Sequence, residues 1–437
     1  MIPKYSRPES PISEDLSNLE VVEESVNMEW KNFFKSQDIK KIIQTTLDNN
    51  RDLRVAMLNV DAARALYDVS KSDLLPTFEG QGSFIKRNSS ADIYSAEIAI
   101  NAFEVDLFGK IRSRNKAILE DFFSTEQARK SAEIVLIAEV ADAYLQLLAN
   151  KEILKIASQN LKTQEKSYNL VKQQFKSGII SKSDLADARK VIEDAKFNKS
   201  FYGQQIKQDK NALLFLMGIS NSDVLDGKYR LKNVKLMEKL PTNLKSEILL
   251  FRPDIMQAEH NLKAANAQIG AARAAFFPTI SLVGSAGFAS EELSRLFYGG
   301  SSKAWNYSPS ITVPIFSAGR NSNNLKYSKI IKKIEIANYE KSIQNAFREV
   351  SDEFVIRKNI TDQLKSKHNL EAAARISYLN SKNRYQQGID NYIDLADRTE
   401  DLFLAQIEKI NLEKEKLSNL IRIYKVLGGS STKSHIK

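Results

Sequence analysis

Gly178-Ile179-Ile180-Ser181-Lys182-Ser183-Asp184-Leu185-Ala186-Asp187 returns near the far end of the chain as Gly388-Ile389-Asp390-Asn391-Tyr392-Ile393-Asp394-Leu395-Ala396-Asp397. Gly388 follows Gly178 by 210 residues, and the same 210 separates Met217-Gly218 from Leu427-Gly428. Upstream it links Glu139-Val140-Ala141-Asp142-Ala143-Tyr144 to Glu349-Val350-Ser351-Asp352-Glu353-Phe354. One offset held over so long a stretch marks a structural unit written twice. Such self-similarity outranks any local motif in deciding a fold.

Each half opens with an amphipathic helix, predicted over 38–72 and 244–273, here at an offset of 202: Ala56 matches Ala258, Ala62-Ala63 matches Ala264-Ala265, and Pro76 matches Pro278. Arg252-Pro253-Asp254 suits a helix start, because Pro at the first position loses no hydrogen bond. The step from 202 to 210 places an insertion of about eight residues in the next region. There the period changes to two. Ile280, Leu282, Gly284, Ala286 and Phe288 alternate with Ser281, Val283, Ser285 and Gly287; Ile311, Val313 and Ile315 alternate with Ser310, Thr312 and Pro314. Ala96, Ile98, Ile100 and Ala102 do the same in the first half. Alternation over about ten residues predicts strands, at 77–87, 94–105, 279–289 and 306–316, one hairpin per half. The loop Ser290–Ala304 absorbs the insertion.

Helical periodicity then returns over 110–177 and 320–387, without Pro and almost without Gly. At 1.5 Å per residue each helix reaches roughly 100 Å. Ala157, Leu161, Gln164, Tyr168, Val171 and Phe175 form a coiled-coil seam with one polar member. Return helices are predicted over 181–217 and 391–427, with Gly178 and Gly388 supplying left-handed helix ends at the reversals. The domain reading is an N-terminal extended segment 1–37, a first repeat 38–218, a connecting segment 219–243, a second repeat 244–429 and a tail 430–437. The fold class is mainly α with a β part.

The 437 residues hold only 16 Gly and 9 Pro, which favours long uninterrupted elements. Lys and Arg (64) exceed Asp and Glu (54) for a net charge of +10, but the signs alternate along helical stretches, as on solvated helix faces. No nucleic-acid partner is expected. The absence of Cys excludes disulfides and thiolate metal sites. His260, His368 and His435 stand far apart, and no phosphate loop or nucleophile–base set is visible, so the reading is no enzyme, no cofactor, no metal and no catalytic residue. No run approaches the roughly 18 apolar residues of a membrane-spanning helix. No signal peptide is visible at Met1-Ile2-Pro3-Lys4-Tyr5.

Four strands with one apolar face cannot bury themselves, and an open edge is not tolerated in lipid. Strands of about 9–11 residues are long enough to cross a bilayer when tilted. Transmembrane barrels need about eight strands or more, so copies must pool theirs. Two copies give a plugged bore and three leave an opening. The alternative is a small sheet packed on a soluble helical domain.

Arg252-Pro253-Asp254-Ile255, Ala258-Glu259, Leu262, Ala264-Ala265-Asn266-Ala267 and Ile269-Gly270-Ala271-Ala272-Arg273-Ala274-Ala275-Phe276-Phe277-Pro278-Thr279-Ile280-Ser281-Leu282 closely resemble a signature of outer-membrane efflux channels. These are the TolC-like outer membrane factors, in the OprM/NodT branch that serves resistance-nodulation-division pumps. Phe103-Glu104-Val105-Asp106-Leu107-Phe108-Gly109-Lys110 and Pro314-Ile315-Phe316-Ser317-Ala318-Gly319-Arg320 resemble that branch's second and fourth strand exits. The resemblance covers residues 28–429. It implies a homotrimer with a twelve-stranded barrel in the outer membrane of a Gram-negative bacterium, in contact with outer-membrane lipid. Below it a twelve-helix α-barrel tunnel extends into the periplasm. The implied partners are a periplasmic membrane-fusion adaptor and, through it, an inner-membrane RND transporter. The branch usually carries a lipidated Cys ahead of a Tyr-x-x-Pro segment. Tyr5-Ser6-Arg7-Pro8 is present and the Cys is not, so either Met1 stands near where it was removed or this member lacks the anchor.

Asp184 and Asp187, like Asp394 and Asp397, share one helix face by their three-residue spacing. Acids near a helix start also cap it and favour its dipole, and that is the reading for Asp184 and Asp187. For Asp394 and Asp397 the resemblance implies stacked acidic rings at the periplasmic entrance, a gate with Ile393 as an apolar constriction beside them. Carboxylates converging in a narrow bore bind cations and oppose anions. Glu400 and Asp401 continue the acid on the same helix. Where Asp390 stands, TolC-type members often carry a basic latch residue, so that latch is not expected here. Phe175, Gly178, Ser181, Tyr385 and Gly388 are the implied adaptor-docking tips. The function implied is a passive exit duct for drugs or other small toxic compounds. A type I secretion channel and a soluble coiled-coil scaffold remain as alternatives.

Overall fold

The computed structural model describes residues 1–11, 29–88, 90–225, 227, 229–238 and 246–429. The tail 430–437, with His435, and parts of the segments 1–37 and 219–243 therefore lie outside the described residues. The chain forms two compact units, one of Met1–Pro11, Met57–Arg129 and Pro253–Ile343, the other of Ile12–Ala56, Lys130–Arg252 and Gln344–Lys437. In chain order the helices are α1 (Trp30–Phe33), α2 (Gln37–Asn49), α3 (Arg51–Ser72), α4 (Lys110–Lys176), α5 (Lys182–Met217), α6 (Pro253–Ala274), α7 (Arg320–Gln386) and α8 (Tyr392–Val426). The strands are β1 (Glu79–Ile85), β2 (Ile93–Val105), β3 (Thr279–Ser290) and β4 (Lys303–Thr312).

The first unit carries the sheet. Its order is β1-β2-β3-β4 with every pair antiparallel, so the two hairpins join through β2 and β3. Two details depart from the alternation in the sequence. Between Ile100 and Phe103 the β2–β3 register shifts, because Ile100 pairs with Gly284 but Phe103 pairs with Leu282. One extra residue in β2 makes a bulge that moves later side chains to the other face, so Ala102 does not continue the Ile98–Ile100 row. Strand β4 ends at Thr312, short of the alternation through 316. Pro314 has no N–H to pair. Beside the sheet, Ala117 of α4 packs on Ala264 and Ala267 of α6, and small side chains there let the two backbones approach. The N-terminal residues lie along α6: Tyr5 and Arg7 donate to the buried carboxylate of Glu259 (3.3 and 2.6 Å), and Asn266 donates to the Pro3 carbonyl (2.9 Å).

The second unit holds the larger aromatic core. Phe33, Phe34 and Tyr424 cluster with ring centroids 4.9–5.9 Å apart, and Ile39, Ile42, Ile43, Tyr144, Leu145 and Leu148 are fully buried around them or elsewhere in the unit. The helix predicted over 38–72 is broken at Asn50, which adopts an extended ψ of 131° between α2 and α3. Asn50 Nδ2 donates to the Leu216 carbonyl (2.8 Å) while its Oδ1 accepts from the Leu53 amide (2.8 Å). One side chain thus caps α3 and ties it to the end of α5. Gly218, at φ +66°, ends α5 there; a Cβ at that position would stand 2.4 Å from the Asn49 carbonyl oxygen. The stretch before α6 is a 3-10 helix, Ser246–Phe251, and Pro253 is the first residue of α6. Arg252 donates to the last carbonyl of α8, Val426 (2.7 Å), and pairs with Glu349 (2.9 Å). A cation at a helix C-terminus meets the negative end of the helix dipole.

Candidate functional site at the two helix reversals

Both repeats of the Gly-to-Asp segment sit at helix reversals in the second unit. After α4, Gly178 stands at φ +74°, its amide donates to the Phe175 carbonyl (3.0 Å) and the Ile179 amide reaches back to Gln174 (3.0 Å). After α7, Gly388 also has φ +74°, with matching bonds from Gly388 to Tyr385 (3.1 Å) and from Ile389 to Arg384 (2.9 Å). These are paired Schellman ends. The backbone of the two reversals is the same.

Their side chains differ. At the first, the Ser181 hydroxyl accepts from the Asp184 amide (3.1 Å), and the Asp184 carboxylate accepts from the Ser181 amide (2.9 Å) and hydroxyl (2.8 Å). This reciprocal capping box holds the Asp184 carboxyl below its ordinary range, chiefly through the backbone hydrogen bond. At the second, Asn391 caps α8 by accepting from the Asp394 amide (2.9 Å). No hydrogen bond or ion pair engages the Asp394 or Asp397 carboxylate among the described residues, and both residues are exposed. Two residues after the glycine, Ile180 packs against an apolar cluster in the first reversal. In the second, Asp390 takes a 2.7 Å ion pair from Arg384 of the same reversal. That pair was not legible in the sequence as a partner choice, although the charges stand six residues apart.

The cluster beneath joins both reversals: Val171, Ala188, Tyr392 and Ala396, flanked by Tyr168, Ile180, Leu185, Val191 and Tyr385. Tyr392 donates to Gln164 (3.3 Å), so the polar member of the α4 seam is satisfied across helices. Burial and the neighbouring Tyr385 push the Tyr392 hydroxyl up to about 12. Of the other expected residues, Phe175 and Ile393 are exposed, and Tyr385 is half-buried with its hydroxyl unpaired among the described residues. Asp187 is exposed. Asp401 pairs with Arg398 (3.0 Å), whereas burial, then Asp194 of α5, then Asp401 raise the Glu400 carboxyl.

The seam itself diverges between repeats. Moving Ala157, Leu161, Gln164, Tyr168, Val171 and Phe175 forward by 210 gives Lys367, Glu371, Ala374, Tyr378, Ser381 and Tyr385. Ala157, Leu161 and Val171 of α4 thus become Lys, Glu and Ser in α7, while the polar member Gln164 becomes Ala. Lys367 bridges to Glu408 of α8 (2.6 Å), and the buried Glu371 faces Arg375 and, at 3.6 Å, Lys409 of α8. Ser381 keeps a buried hydroxyl without a partner among the described residues. Applying the offset to the seam would have exposed this difference in the sequence.

Among the described residues no group of acids and His has the arrangement to hold a metal ion. His260 Nδ1 lies 2.7 Å from Glu120, a structural contact in the first unit. No helix of the described residues is long and apolar enough to cross a membrane, a finding that does not bear on the strands.

The family model described as "Outer membrane efflux protein" matches residues 42–219 and 244–429. The toluene efflux pump outer membrane protein TtgC of Pseudomonas putida is 40% identical over 447 residues, covering 98% of this chain and 92% of that protein. The cation efflux system protein CusC of Escherichia coli O157:H7 is 36% identical, covering 98% and 95%. Among solved structures, the open state of the MtrE outer membrane channel of Neisseria gonorrhoeae superposes with a TM-score of 0.89 at 34% identity, covering 98% of each chain.

Proposed function

The chain belongs to the outer membrane efflux protein family, and from that premise we propose how it forms and gates its channel. It is the outer-membrane component of an efflux pump of a Gram-negative bacterium, a transport protein rather than an enzyme. Three copies pool their four strands into a twelve-stranded barrel, which closes the edges that β1 and β4 leave open. The paired helices of three copies line a periplasmic tunnel. Its cargo is drugs, solvents or other small toxic compounds, in keeping with the toluene and cation pumps named for the relatives. The channel is passive, and selection rests with an inner-membrane RND transporter joined through a periplasmic adaptor. The two reversals form the adaptor-facing tips, with Phe175, Gly178, Ser181, Tyr385 and Gly388 at the docking surface.

The gate is assigned to the second reversal, and one observation carries it. Asp394 and Asp397 both present carboxylates free of any partner among the described residues, whereas in the first reversal Asp184 is spent on its own cap and only Asp187 stays exposed. Three copies of each, beside Ile393, form acidic rings that bind cations and raise a barrier to anions. The expected result in planar bilayers is that Asp394→Ala with Asp397→Ala raises single-channel conductance severalfold and abolishes block by divalent cations. Unchanged conductance and block would assign the gate elsewhere.

A further inference from the structure

Between Glu292 and Glu335 the chain contains no Asp or Glu. The stretch includes β4, its exit and the first four turns of α7, and it carries Arg320, Lys326, Lys329, Lys332 and Lys333. A positive charge at a helix N-terminus works against the dipole. The start of α4 solves this internally: Lys110 pairs with Glu104 (3.1 Å), Arg112 with Asp106 (3.0 Å), and Lys116 with Glu120 (2.7 Å). Asp106 also accepts from the Ile111 and Arg112 amides, the free donors of that helix end. The start of α7 has no such acid. Arg320, Lys326, Lys329 and Lys333 are exposed and have no ion pair among the described residues, while Lys332 donates to Asn266 (2.8 Å).

Apolar groups stand beside these cations. Ile315 and Phe316, directly after β4, are 96% and 87% exposed. Tyr327 is exposed within the charged run. Next to Lys326, Leu325 lines an open apolar depression of about 450 Å³ with Met1, Arg273, Phe276 and Phe277. The segment is held in place: the Asn321 side chain donates to the Ala275 carbonyl at the end of α6 (2.9 Å). Arg320 and Lys329 lie about 13 Å apart along the helix at 1.5 Å per residue.

We propose that Arg320, Lys326 and Lys329, with Phe316 and the Leu325 depression, bind anionic phospholipid of the inner leaflet of the outer membrane. The phosphate of an anionic lipid such as phosphatidylglycerol, whose glycerol headgroup brings no compensating amine, supplies the negative charge that α7 lacks, and acyl carbons cover Phe316 and the depression. Residues at a membrane surface gain roughly 1 kcal/mol each from anionic lipid, about fivefold per cation. This inference rests on the reading that the four strands cross the membrane.

The test uses the full chain reconstituted in vesicles of phosphatidylcholine with and without phosphatidylglycerol, with spin-labelled lipids reporting boundary occupancy. The expected result is a selectivity for phosphatidylglycerol over phosphatidylcholine that weakens at high salt, since exposed charges are screened. It should fall about a hundredfold in Arg320→Gln/Lys326→Gln/Lys329→Gln and persist in the charge-preserving Arg320→Lys/Lys326→Arg/Lys329→Arg. Channel conductance in pure phosphatidylcholine reports insertion separately for each variant. Insertion of the unsubstituted chain without lipid selectivity, or selectivity that survives the Gln variant, overturns the proposal alone. Failure of the unsubstituted chain to insert in either vesicle overturns the membrane reading with it.

Discussion

The α4–α5 hairpin and the α7–α8 hairpin share a length, a Schellman reversal and a Gly-to-Asp sequence, yet they are held together differently. The first is closed by Leu161, Ile192 and Ala195 and by a capping box that engages Asp184 and leaves Asp187 exposed. The second is zipped by Lys367–Glu408 and Glu371–Lys409, and the carboxylates of Asp394 and Asp397 have no partner among the described residues. The two copies keep one backbone and differ in the side chains that hold it. Apolar burial is hard to undo locally, whereas an exposed ion pair such as Lys367–Glu408 contributes little and exchanges readily with water. The arrangement suits a fixed partner beside a yielding one.

The strongest way to break this comparison is to exchange seam chemistry. Leu161→Glu places an unpaired carboxylate in the α4 cluster and is expected to cost about 3 kcal/mol or more. Glu371→Leu removes a carboxylate that, despite its burial, Arg375 and Lys409 hold below its ordinary range, but leaves behind two cations that reach solvent, and is expected to cost less, about 1 kcal/mol. Hydrogen exchange over 150–200 and 360–410 reads both locally, and equal losses would mean that the two seams are equivalent. Cap removal comes next. Ser181→Ala loses the two bonds made by the hydroxyl, while the amide of residue 181 still donates to Asp184; Asn391→Ala loses one bond, so α5 should fray by about 1 kcal/mol and α8 by less. Fraying of α8 as great as that of α5 in the same exchange experiment would remove the asymmetry on which the gate assignment leans.

The smallest effect concerns Glu400. Its raised carboxyl is penalised when ionised, chiefly by burial and then by Asp194. Because the folded value exceeds the unfolded one, this penalty is absent below the ordinary carboxyl range and grows as pH rises through the raised folded value. Glu400→Gln should therefore raise the thermal midpoint slightly at pH 7 and leave it unchanged near pH 4. A lower midpoint at pH 7 would show that the carboxylate has a stabilising partner.

The repeat, the four strands and the reversals were legible because each rests on a period or an offset, and those survive one-dimensional reading. What was missed depends on single side chains meeting across the fold. Asn50 looks like any helical residue until the Leu216 carbonyl is placed beside it. The bulge between Ile100 and Phe103 is set by the partner β3, and no alternation in β2 alone reveals it. At the reversals the glycines and paired acids were readable. That Asp184 is consumed by Ser181 while Asp394 is not required distances, since both segments carry a capping residue three positions before the acid.

The joining of the hairpins through β2 and β3 also sets a schedule. β2 is complete at Val105, and its partner begins only at Thr279. At synthesis rates of about 5–20 residues per second, the first hairpin waits roughly 10–40 s with an open edge. Such an edge recruits other chains as readily as its own. A nascent chain of this design is therefore most open to association with other chains before its second half is made.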